Sequence, residues 1–198
     1  MSQNREKKII IIVPARLNSK RLKIKNILPI KGLPMFVHVV NQARKSIFKP
    51  DVYVSTESKK IIDICKKNKI LFIKRPKKLS KDNIEKQDVV VHSMKYLQKK
   101  NVKSKIVISL QVNTPQVNTK DLDRAINFFC DNSFKNKPIR EVISVGKDNL
   151  QNGAFRIMTY RTVFQKTLST KVGIFFTNYI DIHHKKDYSK VLKLMESK

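Results

Sequence analysis

Hydrophobic positions along this chain follow two rhythms. Residues 9–13 are five β-branched side chains in succession, Ile-Ile-Ile-Ile-Val. A run with no polar alternation predicts a strand buried on both faces, as in the middle of a parallel sheet. Shorter apolar runs predict further strands at 52–55, 70–73, 106–110, 142–145, 153–159 and 172–176. Between them the apolar residues recur at helical spacing. Phe36, Val39, Val40, Ala43 and Ile47 form one face of a helix that Pro34 begins, and Ile61, Ile62 and Cys65 form the inner face of a helix over 58–68. Val89, Val90, Met94 and Leu97 mark a third helix, and Leu122, Ala125, Ile126 and Phe129 a fourth, which Asn118 or Thr119 can cap. A short helix is expected over 161–168. Tyr188, Val191, Leu192 and Met195 share one face of a last helix.

Strands alternating with helices imply a single α/β domain over residues 1–198, a Rossmann-like three-layer αβα sandwich with a mostly parallel central sheet. No internal repeat or linker divides it. In open sheets of this kind ligands bind outside the carboxyl ends of the strands. The loop after the first strand fits that place: Pro14 ends the ladder, and Arg16, Lys20, Arg21, Lys23 and Lys25 follow without an intervening carboxylate. A phosphorylated ligand is the expectation.

Composition sharpens this only in part. The 198 residues include 43 Lys plus Arg against 15 Asp plus Glu, a net charge of +28, which favours polyanions in general. Arg is sparse beside Lys, the lysines spread over nearly every element, and no aromatic residues interleave with them. The excess therefore reads as solvated surface, with no specific nucleic-acid partner. No apolar run is long enough to span a bilayer, so no membrane insertion is expected and a cytoplasmic location is the default. Cys65 and Cys130 sit inside apolar helical patterns without a second ligand at metal spacing, and both read as buried thiols.

Six segments, in order, carry a resemblance. They are Pro14-Ala15-Arg16-Leu17-Asn18-Ser19-Lys20-Arg21-Leu22-Lys23-Ile24-Lys25-Asn26; Val54-Ser55-Thr56-Glu57; Arg75-Pro76 with Leu79 and Asp82; Leu110-Gln111 with Pro115; Asn152-Gly153-Ala154-Phe155; and Ile180-Asp181-Ile182-His183 with Asp187. Together they resemble the sugar-acid cytidylyltransferases, the CMP-N-acylneuraminate synthetases and their CMP-Kdo relatives. The resemblance runs along about the whole chain and implies a nucleotide-diphospho-sugar transferase-like fold. It also implies transfer of CMP from CTP to an acidic sugar, sialic acid-like or Kdo, with release of pyrophosphate, dependence on Mg²⁺ and a role in surface glycan assembly.

By position in these motifs, Arg16 and Lys25 would hold phosphates, and with Asp181 they are the expected catalytic set. Ala15, Asn18, Ser19, Lys20, Asn26 and Arg75 complete the expected nucleotide contacts, Arg75 near the cytosine. Gln111 and Asn113 would face the sugar. For Lys20 and Arg21 a solvated-charge reading stands beside the phosphate one. Arg75 could instead cap a strand end, and Gln111 could satisfy loop backbone.

Two departures stand out. The family's last motif has two aspartates two positions apart, able to share Mg²⁺; here Asp181 is kept but His183 takes the second place, and imidazole suits a hard cation poorly. Only residues 116–151 separate two motifs between which the family carries an excursion that makes acceptor contacts and a dimer interface. That excursion is expected to be largely missing, which leaves the usual homodimer in question. The rival readings are a catalytically weakened nucleotide-binding homologue and a basic nucleic-acid-binding protein. His38, His92 and His184 read as structural or surface residues.

Overall fold

The computed structural model describes residues 8–19, 21–133, 135 and 137–196. The first strand, β1 (Ile9–Pro14), is buried along almost its whole length. Its side chains alternate between two cores. Ile9, Ile11 and Val13 pack into one, Ile10 and Ile12 into the other. The uninterrupted run is thus the signature of a strand with helices over both faces.

A small antiparallel pair, β2 (Pro29–Ile30) and β3 (Leu33–Pro34), leads into α1 (Met35–Arg44). Then come β4 (Asp51–Thr56), α2 (Lys59–Lys67), β5 (Leu71–Lys74), α3 (Lys86–Lys99), β6 (Ile106–Leu110) and α4 (Thr119–Ser133). The chain ends with β7 (Glu141–Val145), β8 (Gln151–Thr159), β9 (Val172–Phe176) and α5 (Lys185–Glu196). One seven-stranded sheet runs in the order β5-β4-β1-β6-β8-β7-β9. Only β8 runs against its neighbours: β6–β8 and β7–β8 pair antiparallel and all other pairs are parallel.

Helices α1, α2, α4 and α5 contribute to the core on the Ile9/Ile11/Val13 face. The other face is covered by α3 through Val90, Met94 and Leu97, with Val163 beside them. From β1 the chain builds outward through β4 and β5, then returns to place β6 on the opposite side of β1. The β1/β6 boundary is therefore the switch point, where loops leave the sheet in opposite directions and open a crevice. Because β8 is reversed, its first residues lie at the same edge: Phe155 pairs with Leu110, and the Gln111 N–H donates to the Ala154 carbonyl at 2.9 Å.

Three local expectations are corrected. Helix α1 ends at Arg44, and Ile47 is 72% exposed. The Ser46 hydroxyl donates to Asp123 of α4 at 2.5 Å and the Ile47 N–H follows at 3.4 Å, so the chain turns before the stripe can continue. Residues 161–168 hold only a 3-10 turn, Thr162–Phe164. Val163 is its one apolar anchor in the core, and the Ser169 N–H then bonds the Glu141 carboxylate and draws the chain toward β9. Cys130 is half-buried, while Cys65 is buried.

Glu141 is fully buried and joined at 2.5 Å to Arg156, which also donates to Gln87 of α3 at 3.0 Å. This pair ties β7 to β8 and, through Gln87, to α3. Removing one partner leaves a charge stranded in the interior. Glu141→Ala should lower the unfolding free energy by about 3–5 kcal/mol, read as the shift of a urea midpoint; a loss within about 0.5 kcal/mol, the usual range of surface changes, would contradict the assignment.

Candidate functional site

A cleft of about 480 Å³ opens at the carboxyl ends of β1 and β6. Pro14, Arg16, Ser19, Arg21, Lys25 and Asn26 line it from the loop after β1, Arg75 and Asp82 from the segment after β5, and Gln111 and Asn113 from the loop after β6. Lys86 enters from the first turn of α3 and His183 from the segment before α5. Residues far apart in sequence meet here because all of these segments leave the sheet at one edge.

The loop after β1 is shaped by its own backbone. Ile24 has φ +49°, an unusual conformation for a β-branched residue and a strained one. It starts a 3-10 turn, Lys25–Ile27. Asn26 is buried and its amide donates to the Arg16 carbonyl at 2.8 Å, closing the loop on itself. Arg16 pairs with Asp82 at 2.8 Å and donates to the Ser80 carbonyl at 3.2 Å. Lys25 Nζ donates to the Ile182 carbonyl at 2.7 Å, linking this loop to the far end of the chain.

Glu57 anchors one wall. Its Oε2 accepts from the Arg75 guanidinium at 2.9 and 3.1 Å and from the Ser80 hydroxyl at 2.7 Å, while Oε1 accepts from the Leu17 N–H at 3.3 Å. Burial works against its charge, yet Ser80 and Arg75 hold its carboxyl below the usual range. Arg75 is only 4% exposed. The strand-end motif and the arginine motif are thus two halves of one ion pair.

Asp181 anchors the opposite wall. Its Oδ1 accepts from the Asn113 amide at 2.7 Å, and its Oδ2 lies 3.4 Å from His183 Nε2. The segment is latched by the Ile182 N–H on the Asn113 carbonyl, 2.9 Å, and by the Asp187 carboxylate, which accepts from the His183 and His184 N–H groups at 3.0 and 2.8 Å. Burial raises the Asp181 carboxyl above its ordinary value, with Lys86, His183 and Lys25 opposing. His183 is pushed below its ordinary value, first by burial, with Asp181 opposing. Its Nδ1 is buried without a partner. Among the described residues no group of three His, Cys, Asp or Glu side chains could hold a metal ion alone. One carboxylate still suits Mg²⁺, which keeps waters and takes further oxygens from phosphates.

Of the residues expected from sequence, Arg16, Ser19, Lys25, Asn26, Arg75, Gln111, Asn113 and His183 line this cleft, and Asp181 borders it through Asn113 and His183. Asn18 lines an adjoining hollow with Ser19, Lys23 and Ile24. The Ala15 side chain faces the core, and its N–H donates to the Ser55 carbonyl at 2.9 Å. Lys20 lies outside the described residues. The Gln111 amide donates to the Ser109 hydroxyl of β6 at 3.2 Å, a side-chain partner and not loop backbone. His38 is buried on α1 among core residues, a structural role, and His184 is exposed. Lys86 was not foreseen. The available signal was a lysine in the first turn of a helix, where the dipole disfavours a cation.

A family model described as Cytidylyltransferase matches residues 10–185. A 3-deoxy-manno-octulosonate cytidylyltransferase of Chloroherpeton thalassium is 29% identical over 126 residues, 64% of this chain and 48% of that protein. A pseudaminic acid cytidylyltransferase of Campylobacter jejuni is 32% identical over 130 residues, 65% and 56% of the two chains. An N-acylneuraminate cytidylyltransferase of Streptococcus agalactiae is 38% identical over 85 residues, 42% of this chain and 21% of that protein. The chain thus spans about half the length, or less, of these curated relatives. The solved structure of CMP:2-keto-3-deoxy-manno-octonic acid synthetase complexed with CTP shares the fold, with a TM-score of 0.77 at 17% identity, covering 96% of this chain and 99% of that one.

Lys25 generates a pH prediction. Burial, with nearby Arg21, Lys86 and Arg16 and against the attraction of Asp181, lowers its ammonium to about 8 from 10.5. Between those values the native lysine has lost its proton while the unfolded one keeps it, so native stability gains as pH rises. The unfolding free energy of the parent should therefore rise relative to that of Lys25→Met between pH 8 and 10.5 in urea titrations. A difference that stays constant across the window would refute the desolvated position.

Proposed function

Because the chain belongs to the cytidylyltransferase family, we propose that it transfers CMP from CTP to the hydroxyl of an acidic sugar, Kdo-like or nonulosonic, and releases pyrophosphate. The observation that carries this reading is the convergence of Arg16, Arg21, Lys25 and Lys86 on one cleft at the β1/β6 switch point. The relatives are named for three different sugar acids, so the acceptor is taken as a class. A cytoplasmic location, where CTP is made, and a place in surface-glycan assembly belong to the same reading. Among the described residues, no helix is long and apolar enough to cross a membrane.

In the reaction the acceptor hydroxyl oxygen bonds to the α-phosphorus, the α–β bridging P–O bond breaks, pyrophosphate leaves with that bond's electron pair, and the hydroxyl proton passes to water. Negative charge grows on the α-phosphoryl oxygens and the leaving group, so fixed cations and N–H groups provide most of the stabilisation. Arg16, oriented by Asp82 and the Ser80 carbonyl, would meet the phosphates as a planar fork. Lys25 sits where water is scarce, and an arriving phosphate would favour the charged form that burial opposes.

Asn26 keeps the loop closed around its ligand. Arg75, locked by Glu57, gives the base a rigid wall. On this reading Gln111 and Asn113, which line the cleft from the loop after β6, would face the acceptor. Mg²⁺ would be held by Asp181, with His183 beside it a weak ligand at most. When bound, it would supply Lewis-acid neutralisation of phosphate charge.

The direct test is pyrophosphate release from CTP with Mg²⁺ and either Kdo or a nonulosonic acid. Release is expected with at least one acceptor; no release together with no CTP-dependent thermal shift would sink the reading. Arg16→Ala and Lys25→Ala should each weaken CTP binding by about 10- to 100-fold, the range of a lost charged hydrogen bond, and parental affinity in both would refute the loop assignment. His183→Asp, by adding a second hard ligand, should raise Mg²⁺-dependent turnover; an unchanged or lower rate would show that His183 is not what restrains the metal.

A further inference from the structure

Lys86 is out of place for an ordinary surface lysine. It is the first residue of α3, where its charge opposes the positive end of the helix dipole. Lysine at such a position is disfavoured unless something else rewards it. The side chain reaches into the cleft and over Gly153: a Cβ at Gly153 would lie 3.2 Å from Lys86 Nζ and 3.9 Å from Asp181 Oδ2. Gly153 has no side chain, so β8 is bare where the ammonium rests, and its φ of +64° disfavours any other residue there.

Asp181 is the carboxylate that attracts Lys86, yet no direct ion pair joins them within 4.0 Å, and Asp181 Oδ1 is already taken by Asn113. Arg21 repels the ammonium from across the cleft, and crowding by the surrounding protein lowers its pKa. The residue nonetheless remains open to solvent. A cation held near, but not against, its counter-charge, among other cations and reachable from outside, is arranged for an incoming anion. Arg16 and Lys25 approach that anion from the β1 loop; Lys86 approaches from α3, on the side of β8.

We propose that Lys86 binds the terminal, leaving phosphates of the nucleotide, facing the β1 loop across the triphosphate, with Gly153 as the gap that admits it. This rests on the nucleotidyl-transfer reading above. In that role Lys86 supplies a fixed positive charge to the departing pyrophosphate, on a wall of the site where the chain carries His183 in place of a second carboxylate. Its contact is with the β- and γ-phosphates, not with the base, ribose or α-phosphate.

Isothermal titration of Lys86→Met and Lys86→Arg with CTP, CMP and inorganic pyrophosphate tests this. Lys86→Met should weaken CTP and pyrophosphate at least tenfold and leave CMP within twofold, and Lys86→Arg should recover most of the loss. Parental affinity of Lys86→Met for CTP and pyrophosphate would overturn the proposal, as would an equal loss for CMP, which would mean a general effect on the site. If the parent protein fails to bind CTP, the nucleotidyl-transfer reading falls, while its pyrophosphate affinity with and without Lys86 still decides the role of the lysine. A parent that binds neither overturns both.

Discussion

The site is governed by repulsion. Arg16, Arg21, Lys25, Arg75, Lys81 and Lys86 all line one cleft in a chain of net charge +28. Two unit charges 4 Å apart interact by about 4 kcal/mol at the effective dielectric of a protein surface, so such a gathering needs counter-charges. Three carboxylates from separate elements supply them: Glu57 after β4 holds Arg75, Asp82 after β5 holds Arg16, and Asp181 before α5 faces Lys25 and Lys86. Each also fixes geometry. Glu57 binds the Leu17 N–H and so joins the β1 loop to the β5 loop, while the Asp181 segment is latched to the β6 loop through Asn113. The carboxylates keep the cations in place, and at Lys25 burial outweighs the attraction of Asp181.

The reversed strand makes this arrangement available. Were β8 parallel to β6, its Asn152-Gly153-Ala154 start would fall at the opposite edge of the sheet. Running antiparallel, it brings Gly153 beside Lys86 and Asp181. Asn152 is fixed there through Thr177, whose N–H in turn bonds the Val145 carbonyl. The chain leaving β9 then crosses to Asp181, and Lys25 grips the Ile182 carbonyl from the other side. One hydrogen bond spanning the first and last motifs closes the site.

What could be read from sequence follows how local the cause is. The run from Ile9 to Val13 announces itself because burial on both faces needs only the residues themselves. That Arg16, Lys25 and Asn26 gather in one cleft was legible because one short loop carries them. Ile47 was misread because its displacement is decided by Asp123, 76 positions away, and the stretch 161–168 because its fate depends on Glu141. Arg75 and Glu57 were found separately, but their pairing is a property of the β4–β5 contact. Lys86 sits one short helix start beyond the arginine motif and has no partner in sequence; only the sheet order puts it beside Gly153.

The two ends of the site carry charge by different means. At the Glu57 end every acceptor is matched to a donor within about 3.3 Å and the wall is rigid. At the Asp181 end the carboxylate shares its surroundings with an amide, an imidazole and two ammonium groups, and the imidazole leaves a buried nitrogen unpartnered. His183 brings no negative charge to that wall, and burial disfavours the charged form of its imidazole. The wall therefore attracts a divalent cation less than two carboxylates would and attracts phosphate more. Lys25 and Lys86 beside that wall add to the same bias, since their charges face Asp181 alone.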